Sequence, residues 1–236
     1  MYEIISEFYP VLIILLIAIF FIGVLLHENK KYKSGAYYQI TKNSYLSIIF
    51  DKGKYGEYLI YKNLKSLETE GAKFLFNIYI PADEVKTTEI DVLLICPQGL
   101  FVFESKNYSG WIFGNETNKK WTQVIYDYKN HFYNPIKQNS YHIKHLKNLI
   151  KKIVPMHSIV VFSNECTLKD ITVKSNNVCV INYYNLYPLI SKICNDTQDN
   201  FLTEIEISDI YNKLYPYTQV SYEGKIQHIK KISTKL

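Results

Sequence analysis

Strand-length apolar runs that alternate with helical stretches predict an α/β domain, a mixed sheet flanked by helices, behind one N-terminal transmembrane helix. Three observations carry that expectation. An unbroken apolar run, VLIILLIAIFFIGVLL, fills residues 11–26. Two near-continuous Val/Ile/Leu/Phe arms, residues 89–95 and 100–106, flank Pro97-Gln98-Gly99 and read as a hairpin buried on both faces. Helical stripes at i, i+3, i+4, i+7 spacing precede and follow that hairpin.

The N-terminal run, extended back through Phe8, Tyr9 and Pro10, reaches about 19 residues, within the range that spans a bilayer. Tyr9 suits an interfacial anchor. Glu3 and Glu7 precede the run, and no small-residue cleavage site follows it, so it reads as a retained anchor and not a cleaved leader. Lys30, Lys31 and Lys33 come directly after. The positive-inside rule then puts the N-terminus outside and the rest in the cytoplasm at the cell membrane. The expected organisation is a short extracytoplasmic N-terminus (1–9), a transmembrane helix (10–27), a polar Lys- and Tyr-rich juxtamembrane linker (28–47), the α/β domain (48–196) and a helical, basic tail (197–236). Asn-x-Ser/Thr matches at Asn107, Asn115 and Asn195 are chance matches under that topology.

What remains after the anchor is roughly 190 residues, enough for one domain with a sizeable core. Hydrophobic residues make up 47% of the chain, which excludes a disordered protein. The net charge of +5, carried entirely by lysines on the basic side, suits a polyanion or membrane partner. Cys96, Cys166, Cys179 and Cys194 show no Cys-x-x-Cys spacing, so they read as buried free thiols and not as a zinc site. There is no Gly-x-Ser-x-Gly, and Lys52-Gly53-Lys54 is too short for a phosphate-binding loop.

The first helix is expected from Tyr55 to Leu67, with Ile60, Tyr61, Leu64 and Leu67 as its buried stripe. Glu57 starts the same stripe. It is either a carboxylate turned to the sheet or a first-turn acid favoured by the helix dipole. A strand over residues 73–80 stops at Pro81, and the hairpin follows. Gly110 and Gly114 mark a bend and another short strand, and Trp121 reads as a core or lid aromatic. A second helix begins at Asn134-Pro135 and runs to Lys152, with Pro in the first turn. Ile136, Ile143, Leu146, Ile150 and Ile153 form its stripe, bordered by Gln138, His142 and His145. Lys137, Lys144, Lys147 and Lys151 fall toward solvent, as a solvated face or a row that tracks phosphates. Strands over 157–162 and 178–183, an apolar helix over 186–193 and a helix over 205–214 complete the order. The chain ends in Lys225, Lys230, Lys231 and Lys235.

Asp91, Glu104 and Lys106 stand out because the strands holding them are otherwise apolar. An unpaired charge there costs several kcal/mol. Glu104 and Lys106 are two apart and share a face. An Asp on one strand beside Glu-x-Lys on the next makes a pocket for a hard metal ion next to an ammonium. The bland alternative is a buried structural ion network, which seldom improves stability over apolar packing.

Taken in order, Gly56-Glu57, Glu89-Ile90-Asp91, Glu104-Ser105-Lys106-Asn107-Tyr108-Ser109-Gly110, Asn134-Pro135 and Gln138-Asn139 resemble the nuclease-related domain (NERD) family. That family is similar to the PD-(D/E)XK superfamily of restriction-endonuclease-like nucleases, and the resemblance covers residues 48 to 165 or so. It implies a restriction-endonuclease-like sheet and a Mg²⁺-dependent deoxyribonuclease, with Mn²⁺ as a substitute ion. Asp91 and Glu104 would ligate the metal, the Ser105 carbonyl would complete the shell, and Glu57 would help hold metal or water. Lys106 would orient or deprotonate the attacking water and offset charge at the phosphate. Gln138 matches a helix glutamine beside the site, whereas His142 stands where that motif often has Tyr. The implied partners are nucleic acid, DNA before RNA, and the bilayer through residues 10–27. The alternative is a catalytically inactive module of the same fold that binds nucleic acid or a protein partner at the membrane.

Overall fold

The apolar N-terminal run forms α1 (Tyr2–Lys33) in the computed structural model, which describes residues 2–83, 86–197, 201–221 and 224. Tyr9–Lys33 is long and apolar enough to cross a membrane, and its side chains from residue 9 to 27 lie exposed, so it is a candidate membrane span. Residues 28–47 correct the expectation of a linker. Here α1 continues to Lys33, and α2 (Ala36–Thr41) and α3 (Tyr45–Ile49) pack on the domain. The tyrosines that looked like a polar linker build an aromatic cluster: Tyr32 meets Tyr37, Tyr38, Tyr45 and Tyr58 at centroid distances between 5.3 and 6.3 Å. Tyr carries a large apolar body with a polar tip, which is why it can fill a core that polar composition hides.

The first long domain helix, α4 (Lys52–Leu64), starts earlier than expected because Asp51 caps it, accepting from Gly53 N at 3.0 Å and Lys54 N at 3.1 Å. A 3₁₀ turn, Lys65–Glu70, carries Leu67 to its buried place. Three antiparallel strands follow, β1 (Lys73–Asp83), β2 (Lys86–Cys96) and β3 (Gly99–Lys106). β1 runs past Pro81, which pairs with Thr87. β1 is an edge strand, where a residue without an N–H is tolerated.

A second sheet, not expected from the sequence beyond its first strand, comes next. It comprises β4 (Gly110–Asn115), β5 (Lys120–Ile125) and β6 (Tyr128–Tyr133). The chain then enters α5 (Pro135–Ile150) and returns to the main sheet as β7 (Met156–Phe162). β8 (Cys166–Thr172) joins the second sheet and β9 (Val178–Asn182) the first. The main sheet has the order β1-β2-β3-β7-β9, parallel from β3 onward, and the second has β6-β5-β4-β8. The second sheet is hard to read from sequence because its strands are short and mix apolar with polar residues on both faces. On its inner face Ile112 and Trp121 pack against Ile136, Val160, Phe162 and Cys166. Trp121 is thus a core aromatic, stacked on Phe162 at 6.1 Å. Two helices close the domain, α6 (Leu186–Asp196) and α7 (Glu204–Leu214). Ile207, Ile210 and Leu214 of α7 belong to the main core, so part of the expected tail is domain. Its basic end lies outside the described residues.

The Asn134-Pro135 pair fixes where α5 begins. The fully buried Asn134 side chain caps the helix through Ile136 N at 2.9 Å. It also donates to the carbonyls of Asn115, Glu116 and Asn118 at 3.1, 2.9 and 2.7 Å. The helix thereby hangs from the β4–β5 turn. At its other end Lys151 takes φ 56°, which stops α5 before Ile153; that residue is fully exposed and not part of the stripe. Lys144, Lys147 and Lys151 are exposed, as a solvated face requires.

Gly114 is where the second sheet tolerates no side chain. A Cβ there would lie 2.1 to 2.5 Å from the Trp121 ring, which is buried and cannot swing away. Gly114→Ala is expected to cost roughly 1–3 kcal/mol in denaturant unfolding through overpacking. Gly53→Ala, which meets nothing closer than 3.4 Å, should be close to neutral. Equal stability of the two variants would contradict this packing.

Candidate active site

At Asp91 the main sheet loses its pairing. The β1–β2 register passes from Phe76↔Val92 to Ile78↔Ile90, and the β2–β3 ladder ends at Val92↔Phe103, so Asp91 has no bridge partner on either side. Opposite Asp91 in β1 stands Asn77, whose φ of 49° is a left-handed conformation that a strand residue does not normally take. The faces of the sheet exchange there. Phe76, paired with Val92, packs on Tyr61 of α4, whereas Thr88, four residues before Val92, bonds His142 of α5. In a regular strand residues 88 and 92 would share a face. The Asp91 carboxylate enters the gap so formed and accepts from Ser105 N at 2.8 Å.

Glu104 is 1% exposed, and both its oxygens are engaged. Oε1 accepts from Lys106 Nζ at 2.5 Å, and Oε2 lies 3.2 Å from His142 Nε2. A carboxylate only accepts, so Nε2 carries a proton; in the neutral ring Nδ1 then accepts from the Thr88 hydroxyl at 2.6 Å. Lys106 Nζ also donates to Gln138 Oε1 at 3.3 Å. Gln138 and His142 are four apart on α5, one turn of the same face. Burial alone would raise the Glu104 carboxyl, but Lys106 and His142 hold it below the usual glutamate value. Burial alone would lower Lys106, but Glu104 and Asp91 hold it above the usual lysine value.

Gly56 lets α4 approach the same strand. A Cβ there would sit 2.5 Å from Ser105 Oγ and 2.7 Å from Tyr183 Oη, two groups that themselves bond at 3.0 Å. The next residue, Glu57, is thereby brought to the rim of the site. Its Oε2 accepts from Tyr37 Oη at 3.0 Å and Asn77 Nδ2 at 2.8 Å. Burial, with Glu89 adding repulsion, pushes its carboxyl up to about 7. Asp91 is pushed well above the usual aspartate value by burial first, then by the charges of Glu104 and Glu57.

Asp91, Glu104, Lys106 and Gln138 are therefore assembled, and Glu57 stands close enough to repel Asp91. The expected three-ligand set is not: among the described residues no group of three His, Cys, Asp or Glu side chains is placed to hold a metal ion. Glu57 departs from that set because Tyr37 and Asn77 hold its carboxylate. The oxygen donors of Asp91 and Glu104 nonetheless suit a hard divalent cation, which takes one or two carboxylates and fills its shell with water and phosphate oxygens. A cation would also answer the mutual repulsion that raises Asp91.

Four contributing residues were not legible in the sequence. Thr88 and Asn77 act only because the strand faces exchange, Tyr37 lies in the segment read as linker, and Tyr183 lies beyond the motif-bearing region. His142 was visible as a departure from a motif, without a role.

The model of the nuclease-related domain family matches residues 52–163. An uncharacterized protein of Bacillus anthracis is 35% identical over 184 residues, which cover 78% of this chain and 85% of that protein. The crystal structure of a protein of unknown function, AF1548, aligns with 73% of this chain and 95% of its own at 11% identity; its TM-score of 0.30 is too low to build on.

Glu57 gives a pH test. Its folded pKa of about 7 lies above its ordinary 4.5, so the native state binds more protons between the two values. Stability must then fall as pH rises through that window. Glu57→Gln keeps an acceptor for Tyr37 and Asn77 but cannot ionise. In EDTA, the variant is expected to be more stable than wild type at pH 8 and nearly equal to it at pH 4, by denaturant unfolding. The same difference at both pH values would contradict the shifted carboxyl.

Proposed function

The chain belongs to the nuclease-related domain family, and from that premise we propose a membrane-anchored, divalent-cation-dependent nuclease that hydrolyses phosphodiester bonds, DNA before RNA. What supports it is the convergence of Asp91, Glu104 and Lys106 where the sheet opens, with Lys106 Nζ 2.5 Å from Glu104 and the Asp91 carboxyl raised by burial and then by its acidic neighbours. Mg²⁺, or Mn²⁺ in its place, would be held by Asp91 and Glu104 and would supply Lewis-acid activation of phosphate and water. Lys106 remains an ammonium at neutral pH and so offsets negative charge developing on the phosphate, instead of taking a proton from water. Gln138 holds that ammonium from the helix side, and His142 holds Glu104 in place. Glu57, with its carboxyl near 7, is the group suited to exchange protons at working pH.

The apolar helix supports a membrane location. Its end at Tyr32 is buried against the domain, so a spanning α1 would hold the domain at the bilayer surface without a flexible tether. Lys30, Lys31 and Lys33 favour a cytoplasmic domain and an N-terminus outside.

A second reading draws on the saturation of Glu104 by Lys106 and His142: a module that keeps the fold and binds nucleic acid or a protein partner without cleaving. The test is cleavage of linear, circular and single-stranded DNA and of RNA by the full chain in detergent, with Mg²⁺ or Mn²⁺. Asp91→Asn and Glu104→Gln are expected to show no detectable cleavage. Lys106→Ala should lose on the order of 10²–10³-fold in turnover while retaining the cation. Cleavage by all three variants at the wild-type rate would refute the site, and binding without cleavage by wild type would favour the second reading.

A further inference from the structure

We propose that the outer face of the second sheet is a platform for single-stranded nucleic acid, where Trp111 stacks on a base and Lys169 meets the adjoining phosphate. The inference rests on the nuclease reading and adds to it the form of the substrate.

The face is built by alternation. Ile112 and Trp121 turn inward, so their neighbours Trp111, Phe113, Thr122 and Val124 turn outward, beside Lys129 and His131, which pair with Val124 and Thr122. Trp111 is 51% exposed, whereas Trp121 is 1% exposed. A single exposed aromatic is ordinary on a protein surface, so the weight falls on Trp111 together with the cations around it. Trp111 also lines a pocket of about 490 Å³ with Ser109, Gly110, Val124, Ile125 and Tyr126. Ser109 and Gly110 of that pocket follow Lys106 of the candidate site by three and four residues.

The charge on this face selects the partner. Lys169 Nζ lies 4.9 Å from the Trp111 ring centroid, and Lys120 and Lys129 add two more cations. Two acids border the face, Asp170 opposite Phe113 on β8 and Asp127 at the hairpin tip, against the three lysines and His131. A protein-binding face is typically depleted of lysine at its centre. Aromatic rings interleaved with lysines match a strand whose bases are unpaired, because every base offers a stacking face and every linkage a phosphate. In a duplex those base faces are already stacked on one another.

The chain contains two tryptophans, one exposed on this face and one buried, so intrinsic fluorescence reports on the platform. The full chain in detergent, carrying Asp91→Asn to prevent cleavage, is titrated with an oligothymidylate and with a hairpin duplex. The oligothymidylate should quench the emission. In the same background, Trp111→Ala should abolish that quench and weaken single-strand binding about tenfold, with duplex binding unchanged. Lys169→Gln should flatten the salt dependence of single-strand binding by about 0.7 in log–log slope. Oligothymidylate binding that leaves the emission unchanged and does not need Trp111 would overturn the platform. So would no binding at all, or self-association of the chain that Trp111→Ala abolishes. Failure of the nuclease reading looks different: the oligonucleotide would quench Trp111, yet the chain with Asp91 intact would cleave nothing.

Discussion

A carboxylate as enclosed as that of Glu104 must have its charge answered within hydrogen-bond reach, and the answers come from two directions: Lys106 on its own strand and His142 on α5. The requirement spreads outward from there. His142 can reach Glu104, and Gln138 can reach Lys106, only if α5 keeps one rotational setting over β3. That setting is fixed at the helix start, where Asn134 caps α5 and bonds three carbonyls of the β4–β5 turn. Asn139 adds a further tie, donating to Val102 O and Ser158 Oγ at 2.8 and 3.0 Å. The second sheet, with no charged group of its own in the site, thus sets the register of the helix that serves it.

Asp91 is the opposite case, a carboxyl whose charge is incompletely answered. It receives one backbone N–H, and Glu104 and Glu57 stand near it. The strand pays for this arrangement with lost pairing on both sides and a left-handed Asn77. Irregular backbone and mutually repelling acids are both unfavourable for folding alone, and their coincidence at one residue is the pattern of a site kept for its chemistry. Purely structural ion networks tend instead to satisfy every member.

The sequence disclosed what depends on local chemistry. Charges inside apolar strands identified Asp91, Glu104 and Lys106, the turn at Gly99 identified the hairpin, and Asn-Pro identified the start of α5. It did not disclose what depends on one element meeting another. Tyr37 touches Glu57 across 20 positions and Thr88 touches His142 across 54, with no periodic signal joining either pair. The polar strands β5 and β6 carry lysines and tyrosines outward and hide Trp121 inward, so their alternation is too weak to read alone. Residues 28–47 failed for the same reason: a tyrosine cluster is polar in composition and apolar in packing.

If the incompletely answered charge of Asp91, beside Glu104, is built to be neutralised by a hard cation, the cation must bind the folded chain better than the unfolded one and stabilise it. The direct measurement is the melting temperature of the full chain as Mn²⁺ or Mg²⁺ is titrated, beside the Asp91→Asn chain. At a hundredfold the dissociation constant, binding adds about 2.7 kcal/mol. That is a rise of about 5–10 °C at roughly 2–4 °C per kcal/mol for a domain of this size. Wild type should show that rise and Asp91→Asn little or none. Equal rises in both proteins, or no rise in wild type, would contradict a cation site at Asp91.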